Sequence, residues 1–168
     1  TSDTANTTKV YQGDIVTQNT AGIVTRIARA DGGSATSDII VGVFNGCFYT
    51  DPTTQKPTWK NYYPGSVVAS DIMAFVLDDP DIVGKMDCDG AFAVADIFKD
   101  FNVTNVSGNT TTGISEVQLD FSASGLTIAF MLQAIDISQN PDNDEAGAAN
   151  ANILVRINNH FYRLNTGL

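Results

Sequence analysis

Residues 39–49 read IIVGVFNGCFY, and this stretch decides the fold class. Ile39, Ile40, Val41, Val43, Phe44, Phe48 and Tyr49 are β-branched or aromatic, the types that pack well on a pleated surface. Gly42 and Gly46 would each cost about 1 kcal/mol inside a helix. In a strand they permit a bulge or the close approach of another backbone. The stretch therefore reads as a long strand. Asp51-Pro52-Thr53-Thr54-Gln55-Lys56-Pro57 interrupts it, because proline neither continues a helix nor donates to a ladder. Trp59, Tyr62 and Tyr63 follow, ahead of Pro64-Gly65. The pattern predicts a hairpin with arms 43–50 and 57–63 and its tip at 51–56.

Working outward, the same signals recur. Asp14 to Thr17 and Gly22 to Ala28 are short strand candidates, and Asp31-Gly32-Gly33-Ser34 is a turn signal. The apolar run SVVASDIMAFVL over 66–77 ends firmly at Asp78-Asp79-Pro80. Ile82 to Cys88 reads as another short strand. Val117, Leu119 and Phe121 alternate with Glu116, Gln118 and Asp120, the clearest two-residue period in the chain. LTIAFMLQAIDI over 126–137 and the alternating Asn152 to Ile157 add two more strands, and Asn158-Asn159 turns into His160 to Leu164. AFAVADIFKDF over 91–101 spaces Ala93, Ile97 and Phe101 four apart and predicts a short helix, with an excursion over a barrel end as the alternative. A Thr/Asn/Gly loop is expected at 102–113, and a polar, acidic loop with Pro141 and Gly147 at 138–149. No strand–helix–strand alternation is present. The expected fold is all-β: an antiparallel β-barrel or sandwich with long loops and at most one short helix. Residues 1–9 lack an apolar anchor and read as a flexible N-terminal arm, and 10–168 as a single β domain.

Composition narrows the function classes. Nine Lys plus Arg stand against nineteen Asp plus Glu, a formal net charge of −10. That charge argues against a partner held by phosphate contacts, so no direct nucleic-acid binding is expected. Hydrophobic residues reach 43%, too many for a disordered chain. No window approaches a membrane-spanning apolar length, so no membrane partner is expected. The first residues show no basic stretch followed by an apolar one, so no secretory leader is expected in them.

Little in the chain suggests catalysis. His160 is the single histidine, so any Ser-His-Asp or Cys-His arrangement must use it, and no G-x-S-x-G elbow exists. Cys47 and Cys88 lie in apolar runs, which suits either one disulfide or two buried thiols. The short paired Cys/His spacing of structural zinc is missing. Acidic groups cluster at Asp78, Asp79 and Asp81, at Asp87 and Asp89, and at Asp142, Asp144 and Glu145. The last of these has the oxygen-rich character of a weak Ca²⁺ loop, without the ordered ligand spacing of an EF-hand; the plainer reading is solvated turns. No phosphate-cradling glycine motif is present, and no cofactor or metal is expected. Asn105-Val106-Ser107 and Asn109-Thr110-Thr111 match glycosylation acceptors, as chance allows in a Thr/Asn-rich chain. The aromatic group Tyr49, Trp59, Tyr62 and Tyr63 suits a hairpin core, a protein interface or a sugar platform.

Several longer segments carry a family resemblance. GVFNGCFYTDPTTQKPTWKNYYPGS, SDIMAFVLDDPD and ANANILVRINNH together resemble capsid decoration, or head cement, proteins of tailed marine and cyanobacterial phages. YQGDIVTQNTAGIVTRIA resembles the start of β-barrel decoration proteins, where a G-D-x-V hairpin precedes a glycine-rich connection. The resemblance spans about Tyr11 to His160 and is weakest over Asp89 to Ser115. It implies a non-enzymatic virion protein on the outer surface of the capsid. Its partner would be the major capsid protein, with self-association as a dimer or trimer also implied. The alternatives are another virion component, such as a head fibre base or tail protein, and a carbohydrate-binding β-sandwich. The residues expected at the interface are Thr8, Lys9, Tyr11, Tyr49, Trp59, Tyr62, Tyr63, Asp142 and Asp144, drawn from the arm, the 51–63 hairpin and the 138–149 loop.

Overall fold

The computed structural model describes residues 7–19, 21–27, 39–125, 130–141 and 146–163. The expected turn at 31–34, residues 1–6 of the expected arm and the acidic positions 142–145 lie outside them. The described residues form ten strands: β1 (Ile15–Gln18), β2 (Val24–Arg26), β3 (Ile40–Thr50), β4 (Pro57–Lys60), β5 (Met73–Leu77), β6 (Val83–Asp87), β7 (Asp100–Val103), β8 (Leu119–Gly125), β9 (Leu132–Ile137) and β10 (Asn152–Ile157). All pairings between these strands are antiparallel. The fold is all-β, as the composition and periodicity imply. Its strands make two open sheets rather than a closed barrel.

The chain divides into two compact units. The first takes its described residues from 7–27, 40–78 and 107–116, and is organised by β3. Eleven residues long, β3 pairs with β1 near its start and with β4 near its end. Its opposite edge carries β5, because Val43 pairs with both Ile15 and Leu77, and Phe48 with both Trp59 and Met73. The β3–β4 hairpin turns at 51–56, where the sequence places it: Thr50 faces Pro57, and Asp51 caps the tip by accepting the Thr53 and Thr54 N–H groups at 2.8 and 2.9 Å. One face of this sheet is the core, built on Val10, Val16, Phe44, Cys47, Tyr49, Tyr63 and Val67.

A buried carboxylate ties the first unit together. Asp14 accepts the Tyr11 N–H at 2.7 Å and the Ser115 hydroxyl at 2.6 Å, and Arg26 Nε lies 3.7 Å away. Segment 107–116 is held beside it by two backbone bonds, Gln12 N–H to Gly113 and Ser115 N–H to Gln12. Burial raises the Asp14 pKa above its ordinary value, outweighing the stabilising contacts to Ser115, Tyr11 and Arg26.

The second unit takes its described residues from 39, 79–106 and 117–163 and holds the sheet β6-β10-β9-β7-β8. In β10 the alternation seen in the sequence is real: Ile153, Val155 and Ile157 are buried. The helix expected over 91–101 does not form. A single 3-10 turn covers Val94–Asp96, and β7 begins at Asp100. Two interactions outcompete helix. The Asp96 carboxylate accepts the Ala93 N–H at 2.9 Å and binds Lys99 Nζ at 2.6 Å, closing the turn locally. Backbone bonds from Phe98 N–H to Ala134 and from Ala134 N–H to Lys99 then draw the chain into the sheet. After Asn158-Asn159, residues Phe161–Arg163 form a second 3-10 turn, with His160 Nδ1 accepting the Tyr162 N–H at 3.1 Å.

Candidate interaction surface

The alternation of β3 and its neighbours sorts side chains onto two faces. Phe44, Cys47 and Tyr49 point into the core, so Phe48 and its cross-strand partners Trp59 and Met73 point away from it. The bulge between Phe44 and Gly46 restores the parity, placing Phe75 opposite Gly46 on the outward face. Leu77, opposite Val43, completes the row. Trp59 is 57% exposed, Met73 53%, Phe75 45% and Leu77 47%. Most large apolar side chains in a folded domain are mostly buried, so a contiguous row left this open is informative.

Gly46 makes the arrangement possible. Its φ of +138° lies where side chains are strained, and a Cβ there would meet Trp59 Cζ2 at 2.8 Å. Without that Cβ the indole lies across β3 towards the strand that carries Phe75. The row is bounded by carboxylates. Asp71 continues the β3–β5 register, opposite Thr50, accepting the Thr50 hydroxyl at 2.6 Å and the Thr50 N–H at 3.1 Å. Those bonds, the hydroxyl first, hold its carboxyl below the usual range. Asp78 and Asp79 follow Leu77 at the other end, and both are exposed.

The residues expected at an interface fall into four groups. Thr8, Lys9 and Trp59 are exposed. Tyr11, Tyr49 and Tyr63 are buried and serve the core; the Tyr63 hydroxyl accepts the Val67 N–H at 3.3 Å. Tyr62 is half-buried, stacked on Tyr11 with ring centroids 5.7 Å apart, and Lys60 Nζ sits 5.7 Å above its ring. Asp142 and Asp144 lie outside the described residues. The aromatic group is therefore split between core and surface, and Trp59 alone of it joins the open row. Phe48, Met73, Phe75 and Leu77 were missed by the sequence reading. The run over 72–77 is apolar at every position, so the only local signal was the Asp that closes it at each end, Asp71 and Asp78.

The chemistry-bearing residues are placed as follows. Cys47 and Cys88 are buried free thiols. Burial pushes the Cys47 pKa up to about 11, far from the reactive thiolate range. His160 is fully buried, its ring 5.4 Å from that of Tyr162. Among the described residues no group of three His, Cys, Asp or Glu side chains is arranged to hold a metal ion, and no helix is long and apolar enough to cross a membrane. Comparison with protein-family models, with curated proteins and with solved structures finds no match.

Proposed function

We propose that this chain is a non-enzymatic capsid decoration protein, binding the outer face of a tailed-phage head and bridging neighbouring major capsid protein subunits to stabilise the shell. The virion assignment rests on the sequence resemblance over 11–160. The observation that carries the binding role is the open row of Trp59, Met73, Phe75 and Leu77 beside Phe48. A large apolar side chain gains about 1.5–3 kcal/mol on full burial, so covering half-exposed ones yields a modest energy per copy. On a shell that energy recurs at every site, and simultaneous contacts to two subunits multiply it by effective concentration. A net charge of −10 favours the outside of a particle over its DNA-facing side. The carbohydrate-binding alternative loses much of its platform, because Tyr49 and Tyr63 are buried and Tyr62 stacks on Tyr11.

The test is addition of the purified chain to decoration-free heads of the parent phage, read as bound copies per head and as retention of packaged DNA on heating. Saturable binding with a raised DNA-release temperature is expected. Absence of both would overturn the proposal. Binding confined to tails or fibres, seen by labelling intact particles, would replace it with another virion role.

A further inference from the structure

We draw no further inference here: the strongest candidate, the outer edge of β5 with its exposed Met73, Phe75 and Leu77, pairs with no strand among the described residues, and nothing in the structure shows what covers it.

Discussion

Gly42→Ala tests the packing that holds β5 in place. Gly42 sits in β3 with φ +154°, where a side chain is strained. A Cβ built there would land on the Leu77 carbonyl oxygen, and would lie 2.9 Å from both the Leu77 carbonyl carbon and Val76 Cγ1. The obstacle is mainly backbone, so β3 and the end of β5 must separate. Strain at such a φ costs of order 1–3 kcal/mol, and overpacking a tight site adds about 1–3 kcal/mol. We expect a loss of about 4 kcal/mol. Gly147→Ala is the internal control. Its φ of +85° is also strained, but nothing lies within 4 Å of the added carbon. It should lose only the conformational part, about 1 kcal/mol. Urea denaturation of the two variants and the parent, compared at constant m, measures both numbers. Equal midpoints for Gly42→Ala and Gly147→Ala would refute the reasoning, since the contact with Leu77 would then carry no cost.

Other outcomes follow from single sites. Burial holds the proton on Asp14 to higher pH in the folded chain than in the unfolded one, so stability from this group falls as pH rises above about 4 and then levels off. Asp14→Asn should lack that fall, and subtracting its stability–pH profile from the parent's should expose it; superimposable profiles would sink the assignment. Neither thiol of the native chain should react with a disulfide reagent at pH 8, and both should titrate in urea, because Cys47 is raised to about 11 and Cys88 is likewise raised by burial. Rapid native labelling would contradict the burial. Phe98 has φ +69° and is 66% exposed, so Phe98→Gly should relieve strain at little loss of packing and stabilise the chain by about 1 kcal/mol in the same urea assay; a lowered midpoint would argue for contacts by the ring.

How far the sequence could be read depends on what each segment packs against. The hairpin was legible because its tip is encoded locally, in Asp51, Pro52 and Pro57. Even the opposite orientation of Tyr49 and Trp59 is implicit in that register: with Thr50 facing Pro57, Tyr49 faces Thr58 and Trp59 faces Phe48. β10 was legible because Ile153, Val155 and Ile157 alternate with Asn152 and Arg156, which mark the other face. The run over 66–77 was not. Met73, Phe75 and Leu77 alternate with Ala74 and Val76, so both faces are apolar and periodicity cannot name the covered one. That choice is tertiary: Val67, Ala69 and Ile72 pack with Val76 on the Phe44 side. The 91–101 segment misled for a related reason. Ala93, Ile97 and Phe101 have helical spacing, yet the hydrogen bonds of Asp96 and the pairing of Phe98 and Lys99 with Ala134 supply more partners than one short helix could.

The open row and its acidic ends make most sense together. An exposed apolar edge strand is an aggregation hazard that soluble proteins usually blunt with inward-pointing charge, proline or a covering segment. Here the strand itself carries no charge, and proline enters only at Pro80, beyond its end. Protection is left to Asp71 at one end and Asp78-Asp79 at the other. Thr50 holds the Asp71 carboxyl below the usual carboxylate range through its hydroxyl and N–H, so that end of the row keeps its charge into mild acid. Charge placed at the ends, rather than within the strand, keeps Met73, Phe75 and Leu77 available to a partner. Acidic ends beside an apolar edge thus answer the hazard without filling the row, and Asp71→Asn should raise the tendency of the chain to self-associate, as sedimentation would read.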